Sequence, residues 1–273
     1  MNNKIKEIIR KISPNPPAVS AEIVLTQSSK KLEGKRIIVT GGTGGIGQAM
    51  AKRFVDEGAK VLVTGRNEAK LKNIAAELGC EIFQLDMANV GTFDDFVKYA
   101  AEKLGGIDCL VNNAGISLHE NSFQAVTPES FDQQFATNLR GPFFLSQRVL
   151  AYMMKNNVKG QVLFISSETG DTADIRPYGL TKAAINSLVQ GLAYLYVGKG
   201  IRVNAIAPGV TASNMTGFNA DEDIYCSYNP NHRVYLPEEV AETAAFLLSD
   251  ASNCISGQII TCNNGKTINA RWK

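Results

Sequence analysis

The sequence predicts an α/β fold: one doubly wound parallel sheet of about seven strands with helices on both faces. Three observations carry that expectation. Short apolar runs alternate with helical patterns from residue 36 onward. The first run leads straight into a glycine-rich turn and a helix. Polar clusters fall where the runs end, which in such a sheet is the edge that binds ligands.

The first strand, Arg36-Ile-Ile-Val-Thr40, is followed by Gly41-Gly-Thr-Gly-Gly-Ile-Gly47 and a helical pattern from Gln48 to Glu57. Glycines let a backbone approach a pyrophosphate, and a helix N-terminus supplies amide donors and positive dipole. A triphosphate-binding loop would need Gly-Lys-Ser/Thr where Ile46-Gly47-Gln48 stands. Further strands are expected at Val61–Thr64, Glu81–Leu85, Cys109–Val111, Gln161–Ile165, Ile201–Ile206 and Gln258–Thr261. Helices are expected between them, among them Glu68–Leu78 and one continuous helix from Phe131 to Asn156. The stretch Thr211–Tyr235 has no period, and a loop of that length in a compact domain reads as a lid.

Ahead of this domain, at 34–273, residues 1–33 form an expected extension. Ile5, Ile8, Ile9 and Ile12 make one helical stripe, which Ser13-Pro-Asn-Pro-Pro17 ends. Such a helix suits docking on a neighbouring subunit or covering its own domain better than lying on a membrane.

Composition narrows the functional classes. The 273 residues are 44% hydrophobic and 20% charged with net charge +2, so a large core is possible and no nucleic-acid partner is expected. The five cysteines have no C-x-x-C spacing and the only histidines are His119 and His232, so no metal site is read and free thiols in a reducing compartment are expected. There is no apolar run of about 18 residues and no secretory h-region, which points to a cytoplasmic protein with no membrane partner.

One short motif carries chemistry. Tyr178-Gly-Leu-Thr-Lys182 places a phenol and an ammonium on one helix face. A phenol titrates near ~10 in water, and a nearby cation favours its ionised form, so Tyr178 suits proton transfer to or from a carbonyl oxygen. The strand ends add Arg66, Asp86-Met87, Asn112-Asn-Ala-Gly115, Ser166-Ser167 and Pro208-Gly209.

From Thr40-Gly-Gly-Thr-Gly-Gly-Ile-Gly47 through Asn112-Asn-Ala-Gly115, a serine upstream of Tyr178-x-x-x-Lys182, and Pro208-Gly209, the chain resembles the short-chain dehydrogenase/reductase family over residue 34 to the end. The resemblance implies a Rossmann-type fold and an NAD(P)-dependent oxidoreductase acting on a carbonyl or secondary alcohol. It implies a catalytic set of Asn138, Ser167, Tyr178 and Lys182. Ser167 is chosen over Ser166, whose side chain alternates to the other strand face. Asn138 would anchor a water that passes protons toward Lys182. Cofactor contacts are expected from Gly41, Thr43, Gly45, Ile46 and Gly47, from Arg66 and Asn67, and from Asp86 and Met87. Asn113, Ala114 and Gly115, then Pro208, Gly209, Val210, Thr211 and Ser213, complete them with Tyr178 and Lys182. A homo-oligomer, tetramer or dimer, is implied through the helices around Asn138 and Tyr178 and the strand ending at Cys262.

The chain departs from the family pattern in places. The Ser167–Tyr178 interval is short, Asn263-Asn264-Gly265 stands where Asp-Gly-Gly is usual, and Ser213 replaces a threonine. A ketoacyl-type reductase of a small-molecule substrate leads. A sugar, polyol or hydroxysteroid dehydrogenase is the alternative, and a non-catalytic redox regulator is the reading from another class. A regulator would be expected to lose catalytic residues, and all four are present. After the second strand, Gly65 leaves room for a ribose 2′-phosphate where an acidic residue would repel it. Arg66 can hold that phosphate with paired hydrogen bonds, and Asn67 can add a donor, so NADP(H) is expected over NAD(H). The bland alternative is a solvated Arg66 opening the next helix.

Overall fold

A computed structural model of the chain describes residues 18–21 and 29–268. The expected helix at Met1–Ile12 and the prolines behind it lie outside the described residues. Seven strands form one parallel sheet: β1 (Arg36–Val39), β2 (Lys60–Gly65), β3 (Glu81–Gln84), β4 (Cys109–Asn112), β5 (Gln161–Ile165), β6 (Arg202–Pro208) and β7 (Ile259–Cys262). Their order is β3-β2-β1-β4-β5-β6-β7, so the winding direction reverses between β1 and β4. That reversal opens a crevice beyond the strand C-termini, where ligands of such sheets sit.

The central strands are mostly apolar because both sheet faces are covered, whereas the edge strand β3, Glu81-Ile-Phe-Gln84, is polar and exposed at both ends. Successive side chains point to opposite faces. Ile38, aligned with Leu62 and Leu110, faces one core with Phe96, Leu145, Phe164 and Val189. Ile37, Val39, Val61, Val63 and Val111 face the other, with Met50, Phe54 and Ala244. The first core is covered by α3 (Phe93–Leu104), α5 (Gly141–Lys155) and α6 (Pro177–Tyr196). The second is covered by α1 (Gly45–Asp56), α2 (Glu68–Leu78) and α7 (Pro237–Leu248).

The helix expected over Phe131–Asn156 is interrupted. It runs as α4 (Pro128–Phe135), a π turn at Ala136–Arg140, and α5. Two residues explain the break. Pro142 has no N–H to give the carbonyl of Asn138 four residues back, and the Gly141 amide instead bonds the carbonyl of Ala136. Gly141 also lies against the Met87 carbonyl with no room for a Cβ. π turns of this kind concentrate at functional sites, and this one carries Asn138.

The aperiodic stretch 211–235 forms no regular element, only isolated bridges such as Thr211 with Tyr235 and Tyr225 with Arg233. It has a small core of its own, with Ala212, Ile224, Cys226 and Val234 buried. Val19 and Ala21, in the extension, pack on that core. The Ile224 amide donates to the Val19 carbonyl (3.2 Å), and the Val19 amide donates to Asp223 Oδ1 (2.9 Å). The boundary drawn after residue 33 falls inside the packing. Leu32 is fully buried, and the buried Glu57 carboxylate accepts from the amides of Ser29 and Lys31.

Candidate active site

The crevice is a cleft of about 430 Å³ along the C-terminal ends of β1 to β6. Its floor is the glycine-rich turn. Gly41 has φ +65°, and a Cβ on it would stand 2.8 Å from Ala114 Cα, so only glycine fits. At Gly47 a Cβ would overlap the Gly41 carbonyl and the Asn113 side chain. The first-turn amides of α1 have no intrahelical acceptor and form a natural anion cradle.

Thr40 and Asn113 lock this turn to the one after β4. Asn113 Nδ2 donates to the carbonyls of Thr40 and Gly41, both at 3.0 Å. Thr40 Oγ1 accepts from the amides of Asn113 (3.0 Å) and Ala114 (3.1 Å). The side chain of Asn113 is thereby committed to holding the cradle rather than a ligand.

Most of the expected contact residues line the cleft: Gly41, Thr43, Gly45, Ile46, Gly47, Arg66, Asp86, Met87, Asn113, Ala114, Gly115, Ser167, Tyr178, Lys182, Pro208, Gly209, Thr211 and Ser213. Asn67, Asn138 and Val210 are not among its lining. Asn67 is the N-cap of α2, and its Oδ1 accepts from the Lys70 amide at 2.9 Å. Val210 packs on the lid core, and its carbonyl accepts from the Tyr235 amide. Lys70, which sequence reading passed over, lines the cleft with Arg66. The α2 period places it one turn after Arg66, a signal present in the sequence. From the lid, Asn214, Met215 and Thr216 also line the cleft; without a period, the lid sequence gives no clue that Asn214 and Thr216 turn inward.

Ser167, Tyr178 and Lys182 meet where β5 ends and α6 begins. Ser166 Oγ turns the other way and donates to Asn186 Oδ1 at 2.6 Å, as strand alternation requires. Ser167 opens a short 3₁₀ turn, Glu168–Asp171, and its Oγ accepts from the Thr169 amide (3.2 Å) and Thr169 Oγ1 (3.0 Å). The Tyr178 hydroxyl sits deep in the cleft. Desolvation raises its pKa, opposed by a hydrogen bond with Ser167 and the charge of Arg176. Burial also pushes the Lys182 ammonium down to about 8. Lys182 Nζ donates to the Ile165 carbonyl at 2.7 Å and stands 5.5 Å from the Tyr178 ring centroid. In this arrangement burial outweighs Lys182 in setting the phenol, contrary to the expectation from spacing alone.

Asn138 stands one layer behind. Its Oδ1 accepts from the Ile116 amide and its Nδ2 donates to the Ile116 carbonyl, both at 2.8 Å, pinning the turn after β4 to the π turn. Its side chain is engaged, but its backbone carbonyl has lost its α-helical donor to Pro142. Above the cleft, Ser213 lies on Gly45, where a Cβ would stand 3.1 Å from Ser213 Cβ. His119 Nε2 and the Met215 carbonyl, 2.8 Å apart, join the turn after β4 to the lid.

The cleft fits a dinucleotide. It has a backbone cradle that any Cβ would fill, a helix N-terminus beneath it, and two cations at the β2 end. Among the described residues, no cluster of His, Cys, Asp and Glu could hold a metal ion, and no helix is long and apolar enough to cross a membrane.

Comparison with known proteins agrees with this geometry. Residues 41–267 match the family model described as enoyl-(acyl carrier protein) reductase. Short-chain dehydrogenase reductase 5 of Arabidopsis thaliana is 32% identical over 88% of this chain and 97% of its own. Glucose 1-dehydrogenase of Gluconobacter oxydans is 33% identical over 87% of this chain and 94% of its own. The crystal structure of 3-ketoacyl-(acyl-carrier-protein) reductase from Brucella melitensis complexed with NADH superposes with a TM-score of 0.80. It is 30% identical and covers 87% of this chain and 100% of that one.

Proposed function

Because the chain belongs to the short-chain dehydrogenase/reductase family, and so to oxidoreductases that use a nicotinamide cofactor, we propose that it reduces a ketone of a small acyl-type substrate with NADPH preferred, Tyr178 giving the proton. One observation carries this reading: Ser167, Tyr178 and Lys182 line one cleft together, with Lys182 Nζ 5.5 Å from the Tyr178 ring centroid. The bound nicotinamide supplies the hydride. The α1 cradle would hold its pyrophosphate, Arg66 and Lys70 its 2′-phosphate, and Lys182 its ribose.

The chain's own groups do the rest. Both Thr169 donors point at Ser167 Oγ, so Ser167 keeps its own proton to donate inside the cleft, to the Tyr178 oxygen or to a substrate oxygen. The raised phenol of Tyr178 stays protonated at neutral pH and acts as the acid. Lys182, with a pKa of about 8, still carries its charge there and can resupply the phenol. The carbonyl of Asn138, to which Pro142 gives no donor, would support a water leading protons to Lys182.

A second reading, a polyol or sugar dehydrogenase, is favoured by the likeness to glucose 1-dehydrogenase of Gluconobacter oxydans. Cofactor consumption with β-keto thioesters, aldoses, polyols and ketosteroids separates these readings. NADPH oxidation fastest with the β-keto thioesters supports the first, and NADP⁺ reduction fastest with polyols supports the second. Turnover with none of them overturns both. We also propose self-association, since Phe143 and Met154 of α5 and Leu180, Tyr194 and Leu195 of α6 are exposed apolar side chains, Tyr194 at 88%.

A further inference from the structure

Behind the catalytic serine, the turn Glu168–Asp171 is tied to the segment after β7 by a partly buried ion pair. Glu168 follows Ser167 directly and is 8% exposed. Its Oε1 accepts from Lys266 Nζ at 2.6 Å and its Oε2 accepts from Asn263 Nδ2 at 3.1 Å. Asn263 is itself buried. Its Oδ1 accepts from the Gly265 amide (3.1 Å), and its Nδ2 also donates to Thr267 Oγ1 (3.0 Å). Lys266 reaches on to the lid, where Nζ donates to Asn229 Oδ1 at 3.3 Å and stands 5.0 Å from the Tyr228 ring centroid. One ammonium thus touches both the serine turn and the lid.

The turn has little freedom on its other side. A Cβ on Gly170 would stand 2.9 Å from the backbone carbon of Lys182 and 2.9 Å from Asn186 Nδ2, so the turn is pressed against α6 beside the catalytic lysine. A shift of Glu168 therefore moves Ser167 against Tyr178.

We propose that Glu168 and Lys266, with Asn263 as their neutral partner, form a latch that positions Ser167 for the substrate oxygen and couples that position to the lid. They are positioning residues, because Ser167 and Thr169 stand between them and any reacting atom. The latch accounts for the asparagine at position 263, where the family pattern has aspartate. A carboxylate there would lie about 3 Å from Glu168 Oε2, leaving two buried acids to share one ammonium. Asparagine keeps the cluster balanced and supplies the donor that Glu168 Oε2 needs. The proposal rests on the hydride-transfer reading above for its consequence, and on charge balance alone for its energetics.

The test is a four-protein cycle of the full chain: wild type, Asn263→Asp, Glu168→Gln and the double variant. It is read by thermal melting, by cofactor Kd from NADPH fluorescence, and by single-turnover hydride transfer. Asn263→Asp is expected to lower the melting temperature and slow hydride transfer by about tenfold or more, the scale of a misplaced catalytic group, with cofactor Kd unchanged. Adding Glu168→Gln restores one acid to one ammonium and is expected to recover most of both losses. An Asn263→Asp protein equal to wild type overturns the latch, and so does a double variant no better than Asn263→Asp. Coupling seen in the melts with an unchanged hydride-transfer rate overturns the positioning role. If neither aspartate variant folds, Lys266→Met decides: slower hydride transfer at unchanged cofactor Kd supports the latch, and an unchanged rate overturns it. The melts report the charge coupling even if no substrate is turned over, so failure of the functional reading is told apart from failure of the latch.

Discussion

Removing the cation at Arg66 should erase the preference for NADPH. Gly65 ends β2, and Arg66 and Lys70 are the two cations that line the cleft beside it. Both are exposed, so each contact with a phosphate is weakened by water and salt. A charge-assisted hydrogen bond is worth about 1.5 to 3 kcal/mol. Taking the lower end for an exposed group, Arg66→Ile should weaken NADPH binding roughly tenfold. NADH, which has no 2′-phosphate, should be nearly unaffected. Lys70→Ala should act in the same direction by about twofold to fivefold, in line with the ~0.3–1 kcal/mol of an exposed charge pair. Adding Gly65→Asp should bring little NADH affinity by itself, because a Cβ at 65 would stand 2.9 Å from Thr43 Cγ2 and 3.2 Å from its Oγ1. Trimming that methyl with Thr43→Ser should let the new carboxylate seat against a ribose. The assay is the ratio of kcat/KM for the two cofactors, with fluorescence titration of each, at low and high salt. A wild-type enzyme that uses NADH as well as NADPH, or an Arg66→Ile ratio equal to wild type, would refute the assignment.

Three further outcomes follow from the geometry. Lys182 is held at about 8 against 10.5 in an unfolded chain, so the unfolded state binds more protons between those values. The cost of burying its charge is present below about pH 8 and is relieved as pH rises. Lys182→Met should therefore abolish turnover yet raise the melting temperature at pH 7 by several degrees, the gain shrinking toward pH 10, as melts across pH will show. Gly41→Ala places a methyl 2.8 Å from Ala114 Cα at φ +65°. It should weaken binding of either cofactor more than tenfold in fluorescence titration, with a lower melting temperature. Sedimentation velocity at micromolar concentration should show a dimer or tetramer, and Tyr194→Glu, on the outer face of α6, should shift it toward monomer.

Much of this was legible in the sequence because the causes are local. The apolar runs gave the strands, since a sheet covered on both faces tolerates few polar residues. Gly41 and Gly47 announced a close backbone approach that only glycine allows. Tyr178 and Lys182 are four apart on one helix, so spacing alone put them together. The π turn was less visible, because Pro142 reads as an ordinary early-helix proline until Asn138 is seen to lose its donor. Lys70 is less visible because a lysine in the first turn of an exposed helix reads as an ordinary solvated cation. The lowering of Tyr178 by Lys182 was overestimated, since spacing says nothing of how deeply both are buried. Glu168 and Lys266 are 98 residues apart, and only the sheet order brings the end of β5 to the segment after β7. Likewise no local pattern could place Val19 on the lid.

The central claim is that Tyr178 delivers the proton while the rest of the cleft binds the cofactor. Tyr178→Phe keeps the ring and removes only the hydroxyl. The most direct measurement is single-turnover reduction of the best substrate by this variant, with NADPH affinity titrated on the same sample. NADPH binding within about threefold of wild type and hydride transfer slower by several powers of ten is the predicted result. Hydride transfer within tenfold of wild type, at unchanged NADPH affinity, would contradict it.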